Sequence, residues 1–259
     1  MDAYKKVINA RSSERTRAKE IIEKIFDEYI YLKGDRAYGD SEAIIGGIGS
    51  LSNGIKNHRV TFIGIQKGAD AEESLRTNFG MPNPHDYRKA IRLMKQAEKF
   101  KRPVITFVDT PGAFPGVEAE QRGQHQLISD SLITMAGLKV PTIAFIIGEG
   151  GSGGALALAL ANKVYMASGA VYSILSPEGF ATILYKDVNK KYDAAELMRL
   201  TADNLYEDGI IDGIVKENDN KIDLSDLKRI IFESLDEYRI YSPTKIISDR
   251  YKRFRRIGV

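Results

Sequence analysis

Apolar positions change their period several times along the chain. Ile21, Ile22, Ile25, Phe26, Tyr29 and Ile30 recur at helical spacing, so residues 1–33 read as a mostly polar helical segment with one apolar face. Gly34-Asp35-Arg36 breaks that pattern. The stretch Ile44-Ile45-Gly46-Gly47-Ile48-Gly49 and the β-branched run Val60–Ile65 flank Asn53-Gly54, which predicts a hairpin. Tyr87, Ala90, Ile91, Met94 and Ala97 then share a helical face, with Pro103 marking the exit. Val104–Val108 is a short unbroken apolar run, as expected of a strand covered on both faces.

A Gly/Pro loop follows, Asp109-Thr110-Pro111-Gly112-Ala113-Phe114-Pro115-Gly116, and then a predicted helix of about 20 residues ending near Gly137. Thr142–Ile147 repeats the buried-strand signal. It runs into Gly148-Glu149-Gly150-Gly151-Ser152-Gly153-Gly154 and a small-residue helix from Ala155 to Ala161. Further strands are expected at 163–167 and 171–175, with the remainder mostly helical. The alternation predicts an α/β fold of parallel βαβ units with right-handed crossovers. Both glycine-rich loops then lie at the carboxyl ends of strands, where open α/β sheets bind ligands.

Composition narrows the chemistry. The chain has 259 residues, 43% of them hydrophobic, so a sizeable core is available. It has no cysteine, which removes disulfides, thiol catalysis and Cys-ligated zinc together and fits a reducing compartment. No apolar run approaches the roughly 18 residues of a spanning helix, and no apolar signal segment opens the sequence. The expectation is a soluble, cytoplasmic protein. The net charge of +3 hides a basic tail: residues 238–259 carry Arg239, Lys245, Arg250, Lys252, Arg253, Arg255 and Arg256 against Asp249 alone. Such a tail can meet nucleic acid, an anionic ligand or an acidic partner, but it reads first as a solvated helix end.

The segment 148–154 fits three templates. Gly148-x-Gly150-x-x-Gly153 matches the dinucleotide fingerprint, yet no acid stands at the end of the next strand to take a ribose. Gly150-x-Ser152-x-Gly154 matches a nucleophile elbow, yet His58, His85 and His125 all precede Ser152, opposite to the order that fold needs. The third reading needs only backbone. Glycines let a ligand approach closely, and the first amides of a helix lack intrahelical partners, so two adjacent free N–H groups can form an oxyanion hole. The competing structural reading is tight helix–strand packing. Asp109 and Glu149 are either paired carboxylates or turn caps, and Glu118, Glu120 and Arg122 read as a locally paired helix start. The histidines show no metal-ligand spacing.

Longer motifs carry a family resemblance. Arg76–Pro82 (RTNFGMP), Tyr87–Ala90, Asp109–Gly112, Pro115-Gly116, Arg122-Gly123-Gln124, Gly148–Gly154 and Ser176-Pro177-Glu178-Gly179 occur in order. Together they resemble the α subunit of bacterial acetyl-CoA carboxylase carboxyltransferase, over roughly residues 20 to 217. The resemblance implies a crotonase/ClpP-like fold of repeated ββα units with an N-terminal helix and C-terminal helices. The division it suggests is 1–33 as an N-terminal helical segment, 34–237 as the carboxyltransferase domain and 238–259 as a basic tail.

It also implies transfer of a carboxyl group from carboxybiotin to acetyl-CoA, giving malonyl-CoA for fatty acid synthesis. The biotin rides on a biotin carboxyl carrier protein rather than on this chain, and no metal belongs here. A zinc-ribbon β subunit completes an α2β2 assembly that works with biotin carboxylase in an ATP-dependent complex. By this resemblance the amides of Gly153 and Gly154 hold the ureido oxygen of biotin. Gly112, Ala113, Phe114, Gly116, Gly150, Gly151, Asn78, Phe79 and Gly80 line the substrate cleft. The β chain serves the thioester, and the released biotin nitrogen can take the methyl proton. Two rival readings are a crotonase-like hydratase or decarboxylase acting alone with Glu149 as base, and a non-catalytic scaffold for the β subunit.

Overall fold

The computed structural model describes residues 2–258. Helices α1 (Ala3–Arg11) and α2 (Ala18–Ile25) open the chain, joined by an irregular arginine-rich link. Ile21, Ile22 and Ile25 are buried as their spacing predicts, but Tyr29 and Ile30 are not on that helix. They lie in strand β1 (Glu28–Tyr31), which pairs antiparallel with β2 (Ile44–Ser52). In β1 they are 42% and 59% exposed, so tertiary pairing overrides the helical spacing. Strands β2 and β3 (Asn57–Ile65) form the expected hairpin, with Ser52 opposite Asn57 and Gly54 at φ 83° in the turn.

Helix α3 (Ala71–Arg76) leads into α4 (Pro84–Lys99). The start of α4 is fixed by Asp86, whose carboxylate accepts the N–H of Asn83 at 2.9 Å. Strand β4 (Val104–Thr110) is buried along its whole length. The single helix expected after it is two, α5 (Val117–Gln121) and α6 (Gln124–Gly137), broken at Gly123, whose φ of 81° no continuing helix allows. Strand β5 (Thr142–Gly151) passes directly into α7 (Ser152–Ala159), so the helix begins three residues earlier than its alanines suggest.

Strands β6 (Lys163–Ala167) and β7 (Val171–Ser173) follow, then helices α8 (Pro177–Tyr185), α9 (Lys191–Leu197) and α10 (Ala202–Glu207). The sequence pattern misses β8 (Gly213–Val215) and the small ribbon β9 (Glu217–Asn218) and β10 (Lys221–Ile222). Helices α11 (Leu224–Tyr238) and α12 (Pro243–Arg255) complete the fold. The main sheet runs β1-β2-β3-β4-β5-β6-β8, with β7 pairing beyond the end of β6 on β5. Strands β3, β4, β5, β6 and β8 are parallel, so their carboxyl ends form one rim.

The basic tail is not simply a solvated helix end. Arg250 is 1% exposed and donates to the carbonyls of Ala136, Leu138 and Val140 and to Asn162 Oδ1. Arg253 is also buried, 2.9 Å from Asp212. Lys252, Arg255 and Arg256 do remain on the surface.

Candidate functional site

The pairing of β4 with β5 shifts at the carboxyl rim. Val108 is opposite Ile146, but Thr110 is opposite Gly150, so Asp109 alone faces the three residues 147–149. The Asp109 carboxylate fills that bulge and accepts the N–H of Glu149 at 3.0 Å. A Cβ on Gly148 would collide with it, which explains a glycine there. Strand β5 then ends in Gly150-Gly151, and Ser152 starts α7 with φ 47°, a left-handed conformation that permits a sharp strand-to-helix turn. The first amides of α7 point back toward the rim without partners one turn below.

Three sequence-predicted loops converge here. Gly151 lies against the Pro111 carbonyl, and Gly154 packs on Ala113, where an added Cβ would stand 2.5 Å from the Ala113 nitrogen and 3.0 Å from Tyr87 Oη. Phe114 N–H donates to Pro82 O at 3.1 Å, and Gln124 Nε2 bridges Pro82 O and Phe114 O. Asn78, Phe79 and Gly80 are three consecutive left-handed residues, and Asn78 Nδ2 donates to Met81 O at 2.8 Å. This turn presses Gly80 against the Asp109 carbonyl and leaves Phe79 49% exposed. Gly112, with φ 147°, has open space around its α-carbon, and the nearest atom to a Cβ on Gly153 is Ile128 Cγ2 at 3.7 Å. Gly116 packs against the Phe114 ring.

The two glycines of the expected oxyanion hole therefore differ. Gly153 has room on its α-carbon, whereas Gly154 is glycine because the 112–113 backbone lies against it. Tyr87 Oη donates to the Gly154 carbonyl at 3.3 Å, and burial pushes its phenol well above the usual tyrosine range, so it stays a neutral donor.

Asp109 and Glu149 are neither an isolated carboxylate pair nor simple caps. Arg17 Nη1 lies 2.6 Å from Asp109, Lys67 Nζ lies 2.5 Å from Glu149, and Arg11 Nε lies 2.8 Å from Glu149. Arg11 also holds Glu178 at 2.8 Å, to which Tyr4 Oη donates at 2.7 Å. The Arg11 contact first, then the Tyr4 bond, hold the Glu178 carboxyl at about 2, against the pull of burial. Arg15 donates to the Ile147 carbonyl at 2.8 Å and pairs with Glu217. Sequence reasoning missed these cations. The available signal was three arginines in seven residues, Arg11, Arg15 and Arg17, in a link with no apolar period. The Glu118–Arg122 pair forms as expected, and Glu120 meets His125 at 2.6 Å. Among the described residues no group of three His, Cys, Asp or Glu could hold a metal ion.

A family model described as acetyl co-enzyme A carboxylase carboxyltransferase-like matches residues 1–258. The chain belongs to this carboxyltransferase family. It is 52% identical to the acetyl-coenzyme A carboxylase carboxyl transferase subunit alpha of Clostridium perfringens (strain ATCC 13124), over 99% of this chain and 95% of that one. The subunit of the same name from Ruminiclostridium cellulolyticum is 47% identical over 100% and 99%. As a carboxyltransferase α subunit of this family, the chain serves biotin-dependent transfer of a carboxyl group to acetyl-CoA within a multisubunit carboxylase.

Among solved structures, transcarboxylase 12S with methylmalonyl-coenzyme A and methylmalonic acid bound superposes with a TM-score of 0.72 at 21% identity, covering 88% of this chain and 42% of that one. A Pseudomonas malonate decarboxylase hetero-tetramer in complex with coenzyme A gives 0.66 at 18%, covering 82% and 89%. These likenesses are of fold alone. No helix among the described residues is long and apolar enough to cross a membrane.

Proposed function

We propose that the carboxyl rim of this chain holds the biotin side of the carboxyl transfer, with the amides of Gly153 and Gly154 directed at the ureido oxygen. Carboxybiotin, brought by a carrier protein, supplies the carboxyl group. The chain's own task is electrostatic: preorganised N–H groups meet the negative charge that develops on that oxygen when the carboxyl group leaves. The open space at Gly112 and Gly153 fits such a ligand. The Asp109 bulge fixes where β5 ends and so where the α7 amides lie. A zinc-ribbon β subunit supplies the site for the thioester oxygen and closes the cleft in an α2β2 assembly. The apolar residues Ile174, Ile183 and Leu184, 77%, 75% and 53% exposed, are the surface we assign to it.

The observation that carries this reading over a stand-alone hydratase is the state of Glu149. Held between Lys67 at 2.5 Å and Arg11 at 2.8 Å, it is a carboxylate with each oxygen already engaged by a cation, rather than one left open to a substrate proton. The decisive experiment is malonyl-CoA formation from carboxybiotin and acetyl-CoA, with and without the β subunit. The chain alone is expected to be inactive and the complex active. Within the complex, Gly153→Pro deletes one N–H and Gly153→Ala keeps it. The proline variant should lose about 10²–10³ in turnover, the usual effect of removing one oxyanion donor, while thermal melting checks the fold. Equal turnover of both variants removes the assignment, and activity of the isolated chain removes the shared site.

A further inference from the structure

A groove of about 830 Å³ is at the opposite end of the sheet from the glycine loop. Pro103 and Pro141, which precede β4 and β5, and the start of β3 at His58 place it at the amino ends of the parallel strands. Helices α11 and α12 and the link between them form its other side, through Leu235, Tyr238, Tyr241 and Ile246. Strand β5 spans ten residues, so the groove lies roughly 30 Å from the rim that holds the glycine loop.

Lys56, Lys101, Lys139 and Arg239 line the groove, and only Lys56 has a carboxylate partner, Asp236 at 2.6 Å. Lys101, Lys139 and Arg239 are exposed and make no ion pair among the described residues. The acid in the groove wall is Glu98, whose carboxylate accepts the Lys139 backbone N–H at 2.8 Å and leaves the ammonium free. His58 also lines the groove, and its buried Nε2 makes no hydrogen bond but lies 3.7 Å from Asp236 Oδ1. An apolar floor of proline, leucine and tyrosine thus meets a rim with three unmatched cations.

We propose that this groove binds an amphipathic anion, an aromatic or aliphatic body on the proline–tyrosine floor with its carboxylate or phosphate held by Lys101, Lys139 and Arg239. The volume lies within the 300–1,000 Å³ range of small-molecule sites, and an apolar lining with a few convergent polar groups is their usual make-up. The guanidinium of Arg239 offers a fork of donors to either anion, and the lysines add point charges. Solvent alone leaves the floor wet, and a neutral apolar ligand leaves the cations without use.

The test uses two fluorescent probes that differ by one group. These are 8-anilinonaphthalene-1-sulfonate and its uncharged parent N-phenyl-1-naphthylamine, titrated into the full chain alone and in its assembled complex. The sulfonate should saturate one site per chain in both forms. The double reversal Lys139→Glu with Arg239→Glu should weaken it about tenfold or more, because two favourable charge contacts become repulsions. The uncharged probe should change less than about twofold, and Lys190→Glu, a control far from the groove, should alter neither. On the unaltered chain, raising salt from about 0.05 to 0.5 M should weaken the sulfonate alone. Equal binding of both probes, insensitivity to the reversals and to salt, or loss of the site on assembly each overturns the proposal. The last result would make the groove a subunit contact. None of these outcomes bears on the glycine loop.

Discussion

Arg17 Nη1 lies 2.6 Å from Asp109 Oδ2, and the two side chains are 6% and 1% exposed. This buried pair joins the link between α1 and α2 to the bulge that sets the end of β5. Removing Arg17 leaves Asp109 with only the longer contact to Lys67, 3.9 Å from its Oδ1, in a poorly solvated place; breaking a buried pair typically costs about 3–5 kcal/mol, and Lys67 puts this one at the lower end. Arg17→Met should therefore lower stability by that order in urea unfolding. Arg17→Met combined with Asp109→Asn should cost less than the two single changes added together. Strict additivity would mean that the pair is not coupled.

Gly153 and Gly154 should respond oppositely to alanine. Gly153→Ala gains only an ordinary contact with Ile128, 3.7 Å away, and should melt within a few degrees of the unaltered chain. Gly154→Ala drives a methyl into the backbone at Ala113, 2.5 Å away, and overpacking of this kind costs about 1–3 kcal/mol. Differential scanning calorimetry separates them. A turnover defect in the Gly154 variant must then be corrected for lost fold before it is assigned to the oxyanion.

Ser152 sits at φ 47° with no histidine downstream of it. An L-residue in that conformation carries about 1–2 kcal/mol of strain that glycine does not. Ser152→Gly should keep most of the complex's turnover and should not lower its melting temperature. A loss of roughly three orders of magnitude with the fold intact would falsify the turn assignment and make the hydroxyl a nucleophile.

Acid should loosen the N-terminal helix first. The Glu178 carboxyl titrates at about 2 in the folded chain, below its ordinary 4.5, because Arg11 and Tyr4 hold its ionised form. Its stabilisation is complete above pH 4.5 and fades as the pH falls toward 2. Protection from hydrogen exchange across Ala3–Arg11, relative to the intrinsic rate at each pH, should fall over that interval. Glu178→Gln should show weak protection there already at pH 6, with a flatter dependence. An unchanged profile in the variant would place the acid sensitivity elsewhere.

The surface and buried parts of the basic tail should separate under substitution. Arg255→Gln with Arg256→Gln should leave stability near that of the unaltered chain. Arg250→Lys keeps the charge but cannot reach the carbonyls of Ala136, Leu138 and Val140 together. With at least two hydrogen bonds lost at about 1 kcal/mol each, it should be less stable by ~2 kcal/mol or more. Equal urea midpoints for Arg250→Lys and the unaltered chain would remove the anchoring role.

The sequence was most legible where local chemistry and tertiary structure agree. The hairpin at Asn53-Gly54, the buried runs that became β4 and β5, and the glycine loop between β5 and α7 follow from residue type and period. Tyr29 and Ile30 misled because two apolar residues in four fit a strand edge as well as a helix face. Gly123 ended a helix that the periodicity alone carries through. The cations around Asp109 and Glu149 were illegible for a different reason. Arg11 and Arg17 reach acids 138 and 92 residues away in sequence, and long flexible side chains leave no periodic trace of their partners.

Arg250 and Asn162 have a bearing on how the chain is made. Asn162, in the turn before β6, donates to the Ile246 carbonyl and accepts from Arg250, which also binds the carbonyls just before β5. These groups lie in the middle of the sheet, yet their partners are synthesised some ninety residues later. A ribosome-bound chain that stops short of α12 has strands β4 to β6 in hand but no guanidinium to satisfy the turn carbonyls beneath them. Folding of the central sheet is thus expected to wait until α12 has left the ribosome, and a nascent chain still lacking it is one that chaperones should hold.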